Sequence, residues 1–105
     1  MVNGVAGRAD TDIDATEAWD ITRGDPNVII AVIDTGADLD HPDLAANFLP
    51  RGTEDWDFAD VGDPVPDDVD GHGTHVCGTI AAVDNTVGVL GVAPGCRLMP
   101  LRIDL

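Results

Sequence analysis

Val28, Ile29, Ile30, Ala31, Val32 and Ile33 form an unbroken apolar run, mostly β-branched, that ends abruptly at Asp34, Thr35 and Gly36. An apolar run without alternation predicts a strand buried on both faces, as in a parallel sheet covered by helices. A carboxylate just past such a strand lies at the carboxyl edge of the sheet, where α/β folds gather ligands and catalytic groups. The plainer reading is that Asp34 starts a turn and Gly36 supplies a positive φ. The rest of the chain has to decide between them.

With 105 residues, 44% of them hydrophobic, the chain amounts to one domain at most, with apolar content enough for a core. Its 20 acidic residues against 5 Arg and no Lys leave a net charge of −15, which argues against nucleic acid or an anionic membrane as a partner. No apolar run approaches the ~20 residues that span a bilayer. Met1-Val2-Asn3-Gly4 carries neither the basic nor the apolar region of a signal peptide, so secreted and cytoplasmic settings both stay open. The sequence contains no serine, so a serine nucleophile would have to come from elsewhere.

Residues 1–11 read as a loose polar segment, followed by a single unit over 12–105. Asp12 is the expected N-cap of a helix through Ile13, Glu17, Trp19 and Asp20, ended by Gly24. Arg23-Gly24-Asp25 spells an adhesion tripeptide, but Gly, Asp and Pro26 are ordinary turn residues leading into the strand. Pro42 predicts about one helical turn, and Trp56-Asp57-Phe58 a short strand. Asp55 to Asp70 holds seven aspartates with Gly62, Pro64 and Pro66, a pattern of a solvated loop that lacks EF-hand spacing. A small-residue helix is expected from His72 through Ala82, with His72 in its first turn and His75 one turn on along the same side. Residues 87–95 read as loop, and Arg97 to Ile103 as a second strand that Pro100 weakens unless it lies at an edge or bulge. Cys77 and Cys96 leave a disulfide open, although cysteines in apolar surroundings are more often buried small hydrophobes. His72, His75 and Cys77 would be the candidate zinc ligands, without the paired spacing of structural zinc sites.

An acid ending a buried strand and a histidine opening a buried helix suit the orienting half of an Asp–His–Ser relay. The residues resemble the subtilisin-like serine proteases (subtilases). Val32-Ile33-Asp34-Thr35-Gly36 is similar to the family's aspartate motif, and His41-Pro42-Asp43-Leu44 to the segment after it. Gly71-His72-Gly73-Thr74-His75-Val76 resembles the histidine motif, and Gly88 to Pro94 the stretch that follows its helix. The resemblance runs from Ala18 onward. It implies a partial subtilisin-like α/β fold, a parallel sheet flanked by helices with the C-terminal portion absent, and catalytic roles for Asp34 and His72. The family's serine motif and oxyanion asparagine would fall beyond Leu105, so the chain is expected to be inactive alone. Its expected partners are protein or peptide substrates, and either a serine-bearing C-terminal half or a second copy at an exposed sheet edge. The resemblance also implies a structural calcium, held by the side chains of Asp43 and Asn85 and the carbonyls of Val83, Val87 and Val89. Cys77 stands where the family usually has a small residue, which raises the question of sensitivity to thiol reagents.

Two other readings compete. Ala31 to Asp38 also resembles the active-site loop of retroviral-type aspartic proteases, in which Asp34 from two chains would share a proton. The second is a non-catalytic fragment that merely keeps the subtilase fold.

Overall fold

A computed structural model describes Gly4 and residues 6–105. Its elements are helix α1 (Ala15–Trp19), strand β1 (Ile29–Asp34), a 3₁₀ turn (Ala45–Asn47), helix α2 (His72–Ala81) and strand β2 (Arg97–Arg102). β1 and β2 pair in parallel, Ile29 opposite Arg97 through Asp34 opposite Arg102, with α2 as the crossover between them. Residues 1–3 and 5 of the segment expected to be loose lie outside the described residues. The rest of it is exposed, without helix or strand. No helix among the described residues is long and apolar enough to cross a membrane.

The apolar run does form β1, but only one of its faces is covered. Val32 and Asp34 are buried, whereas Ile29, Ala31 and Ile33 are exposed, Ile33 by 62%. The register explains the division. Ile30 faces Leu98, Val32 faces Pro100 and Asp34 faces Arg102, so the even-numbered positions share the side on which α2 packs. The odd-numbered positions share a side that no element of the described residues covers. The expectation of burial on both faces is therefore corrected: an apolar run records what both faces tolerate, and α2 covers just one.

α2 meets the sheet through a stripe of small residues. Gly73, Cys77 and Ala81, four residues apart, are its buried positions, and Cys77 and Ala81 join Val32, Ala37, Leu44, Ala82 and Leu98 in the core. The approach is close enough that a Cβ on Gly73 would collide with the Gly36 carbonyl oxygen. Gly36 in turn has φ +95° and lies against the Pro66 carbonyl, so it supplies both the turn after β1 and room for the loop crossing it.

Pro100 sits inside β2 without breaking it. Arg97 N–H donates to Val28 and Ile103 N–H to Asp34, so the odd-numbered amides of β2 face β1. Pro100 is even-numbered, and its missing N–H points to the far edge, between the isolated bridges made by Leu98 and Arg102. The expected strand at Trp56–Phe58 shrinks to one of those bridges, Asp57 to Arg102. A 2.8 Å ion pair fixes it, the Arg102 guanidinium donating to the fully buried Asp57 carboxylate.

α1 begins later than expected. Asp12 accepts a hydrogen bond from Asp14 N–H, and Asp14, at φ 54°, occupies the N-cap position in place of Asp12. The helix ends at Trp19, before Gly24, whose positive φ serves instead a tight approach to Cys96. Arg23 stacks over the Trp19 ring and pairs with Asp84, and Val28 N–H closes a turn on the Asp25 carbonyl, so the Arg-Gly-Asp triplet ties α1 to the body and leads into that turn.

Candidate active site

Asp34 closes β1 and His72 opens α2, and the parallel crossover brings both to the same sheet edge. The His72 Nδ1 lies 2.7 Å from Asp34 Oδ1. An ionised carboxylate only accepts, so Nδ1 carries the proton and Nε2 is left with its lone pair. Nε2 has no hydrogen-bond partner among the described residues. The Asp34 side chain is 12% exposed and that of His72 64%, an anchored acid beneath an open imidazole.

Each member of the pair shifts the other's proton affinity. Burial pushes the Asp34 carboxyl up, but the hydrogen bonds from His72 and from Thr35 N–H together outweigh it and hold it below its usual value. The hydrogen bond to Asp34 and that residue's charge raise His72 above 6.5, with smaller contributions from Asp70 and Asp68. The arrangement can fix one histidine tautomer and stabilise the imidazolium that forms when Nε2 takes a proton.

Most aspartates of the acidic loop are exposed, as expected, but Asp57 is buried and Asp68 is half-buried. The functional interest lies with Asp68. Its carboxylate accepts from the hydroxyls of Thr35 (2.9 Å) and Thr74 (2.6 Å) and from the N–H groups of Asp70, Gly71 and Thr74. Burial opposes its charge, yet these donors hold the carboxyl far below the ordinary range. Sequence reasoning passed over it among its neighbours. The available signal was an Asp shortly before a helix start, where side-chain oxygens meet unpaired N–H groups.

Zinc, which the ligand spacing already disfavours, does not fit the geometry either. His72 is committed to Asp34, Cys77 is buried in the core, and His75 lines a separate cavity of about 580 Å³ with His41, Leu44, Thr79 and Leu90. Among the described residues, the one cluster of metal-ligating side chains is Asp10, Asp12 and Asp14, exposed in the N-terminal turn. Cys77 and Cys96 are free and buried. Burial, and then the charges of Asp34 and Asp68, push the Cys77 thiol up to about 11, which disfavours the thiolate, the form that reacts with thiol reagents.

Asp43 and the loop 83–89 do come together. Asp43 is 2% exposed, its carbonyl accepts from Val83 N–H and its Oδ2 from Val89 N–H. Oδ1 is buried with no hydrogen-bond partner. A Cβ at Gly88 would strike Oδ2, so the loop closes on the carboxylate through a glycine. Asn85 is exposed, with its Oδ1 accepting from Val87 N–H.

Comparison with known proteins bears on the family to which the chain belongs. The subtilase family profile matches residues 25–105. An intracellular serine protease of Paenibacillus polymyxa is 48% identical over 92 residues, covering 87% of this chain and 27% of the relative. Thermitase of Thermoactinomyces vulgaris is 41% identical over 92 residues, covering 87% and 31% respectively. Among solved structures, a protease from Pseudoalteromonas arctica superposes with TM-score 0.70 at 32% identity, over 86% of this chain and 33% of that one. Fervidolysin from Fervidobacterium pennivorans, a keratinolytic enzyme related to subtilisin, gives 0.62 at 35% identity, over 93% and 13%. The chain thus spans under a third of the length of these curated relatives. By its profile match, its relatives and its fold, the chain belongs to the subtilase family.

Proposed function

We propose that this chain supplies the Asp–His part of a serine endopeptidase, with Asp34 orienting and His72 acting as the general base. The carrying observation is the 2.7 Å contact from a buried carboxylate to one nitrogen of an exposed imidazole. In this reading a serine from outside these 105 residues attacks the peptide carbonyl carbon, and its proton moves to His72 Nε2. Asp34 stabilises the resulting imidazolium. His72 then delivers that proton to the departing amine as the carbon–nitrogen bond breaks, and water repeats the sequence to release the acid. Without serine or oxyanion donors the chain alone is inactive, since those groups supply most of the transition-state stabilisation. The uncovered side of β1, with Ile29, Ala31 and Ile33 exposed, suits a serine-bearing segment or a second copy of the chain.

The test is hydrolysis of a casein-type substrate by the chain, with and without a serine-bearing subtilase segment in cis or in trans. Activity only on reconstitution, lost in His72→Ala, supports the reading. Activity of the chain alone at acid pH, lost in Asp34→Asn, would overturn it in favour of paired aspartates. Against that alternative stand the engagement of Asp34 by His72 and the helix and parallel strand that follow residue 70. An all-β second half would need antiparallel strands there.

The same reading gives Asp43 a calcium role. The buried, unpartnered Oδ1 is an oxygen that a hard cation would satisfy, and Asn85 with the carbonyls of Val83, Val87 and Val89 would complete the shell. Bound calcium would neutralise the carboxylate and pin the loop to the core. Melting temperature should then rise with calcium in the native chain and not in Asp43→Ala. A calcium-independent melting temperature in the native chain would refute it.

A further inference from the structure

The Asp34–His72 contact joins two elements that meet across 38 residues of chain, above a close helix–sheet approach through Gly73, Cys77 and Ala81. Directed hydrogen bonds also run between the strand end and the helix start. Two threonine hydroxyls bridge that seam. Gly73 N–H, next to His72, donates to Thr35 Oγ1 at 2.8 Å, and Thr35 is the neighbour of Asp34. Asp38 N–H donates to Thr74 Oγ1 at 2.9 Å. Each hydroxyl can accept in that direction only if its own proton points elsewhere, and both protons point at Asp68: Thr35 donates to Oδ1 and Thr74 to Oδ2.

We infer that Asp68 is a positioning residue for the Asp34–His72 pair, orienting the hydroxyls of Thr35 and Thr74 so that these stitch the end of β1 to the first turn of α2. The inference rests on Asp34 and His72 working as a pair. A simple helix cap would engage only Gly71 and Thr74 N–H, which lie on the loop and helix side. The Thr35 bond, and the Asp38 bond relayed through Thr74, reach the strand side, and a cap has no need of them. Five donors converge on this one carboxylate, about as many as its two oxygens can accept. Its protonation is therefore strongly disfavoured, and the bridge stays set across the neutral range.

NMR of the isotope-labelled 105-residue chain tests this without any proteolytic assay, through the exchange-protected His72 Nδ1–H resonance and the titration of the His72 ring. In Asp68→Ala the protected resonance should vanish and the His72 pKa should fall back toward 6.5. Thr35→Val keeps the Asp68 charge but removes the bridging hydroxyl, and should lose the resonance in the same way. Asp68→Asn retains a carbonyl oxygen for Thr35, Asp70 and Gly71, and should keep the resonance with a small downward shift of the titration. If folded Asp68→Ala and Thr35→Val both keep the native resonance, the inference is wrong. It is also wrong if Ala and Asn at position 68 shift His72 equally while Thr35→Val leaves it alone, since charge alone would then account for the effect. Should Asp68→Ala fail to fold, the contrast between Thr35→Val and Asp68→Asn decides by the same criteria. Absence of the protected resonance in the native chain would instead sink the Asp34–His72 pairing itself, and the positioning role with it.

Discussion

Helix α2 carries two glycines that ordinary helix propensity treats alike, and the fold predicts opposite outcomes when each is replaced by alanine. In an exposed helix interior, Gly to Ala stabilises by about 0.5–1 kcal/mol through lost chain freedom in the unfolded state. At Gly78 an added Cβ meets nothing within 4 Å, so that gain should appear nearly undiminished. At Gly73 the added Cβ would collide with the Gly36 carbonyl oxygen and press on Thr35 Oγ1, both fixed at the end of β1. Overpacking of this kind costs about 1–3 kcal/mol, and Gly73, as the second residue of α2, gains little from propensity. The expected net loss is roughly 1–2 kcal/mol, against a gain of about 0.5–1 kcal/mol at Gly78. For a domain of this size each kcal/mol moves the melting temperature by about 4–8 °C. Thermal melts followed by circular dichroism would thus separate the two variants in sign as well as size. Gly73→Ala should also lengthen the Gly73–Thr35 hydrogen bond and weaken the protected His72 signal, whereas Gly78→Ala should leave it intact. If both variants move the melt in the same direction, the close strand–helix approach is not what the structure says it is.

Stability should depend on pH through the Asp34–His72 pair. His72 is raised above its unfolded value of 6.5, so its contribution is full below that pH and fades as pH climbs through the raised value. Asp34 is lowered below 3.8, so its contribution is full above that pH and fades as pH falls through the lowered value. The difference in melting temperature between the native chain and His72→Ala should therefore be largest between those two unfolded values and shrink on either side; a flat difference from acid to alkaline pH would rule out the pairing. Asn47, buried, donates to the carbonyls of Ala81 and Pro94 and accepts from Arg97, so Asn47→Ala strands two carbonyls, one ending α2 and one in the loop before β2, and leaves the Arg97 guanidinium with the Cys96 carbonyl. A loss of about 1–3 kcal/mol is expected in urea titration, and a neutral result would mean that water replaces the amide. Cys77, its thiol protonated and enclosed, should react with a disulfide reagent only as fast as the chain unfolds. Rapid labelling under native conditions would contradict its burial.

The parts of the fold that were legible in the sequence depend on neighbours in the chain. The β1 run, the acid that ends it and the glycine after it form one local signal, and so do the histidine and small residues of α2. The N-terminus of α1 was misread because Asp12 and Asp14 both suit a helix start, and the choice went to Asp14 through a left-handed backbone that composition does not reveal. Pro100 looked like an obstacle because the direction of its missing N–H depends on pairing parity, which exists only once β2 has a partner. Asp57 and Asp68 were hidden among seven aspartates for a related reason. Their partners, Arg102 and Thr35, are 45 and 33 residues away, and no period or spacing connects them.

Those long-range partners also determine how much of the site is self-sufficient. Every side-chain hydrogen bond that holds the Asp34–His72 contact lies between residues 34 and 74, on β1, the loop that crosses it and the first turn of α2, while Ile103 N–H, at the end of β2, holds the Asp34 backbone. None of them draws on the open side of β1. The uncovered residues Ile29 and Ile33 point away from the helix, so whatever covers them acts on the sheet's other face and changes the pair only through the strand itself. On the proposed function, an acid and a base oriented by hydrogen bonds within one short span can be set before a nucleophile arrives. The geometry of the pair and the completion of an enzyme would then be separable, the first a property of these residues and the second of a serine-bearing partner beside β1.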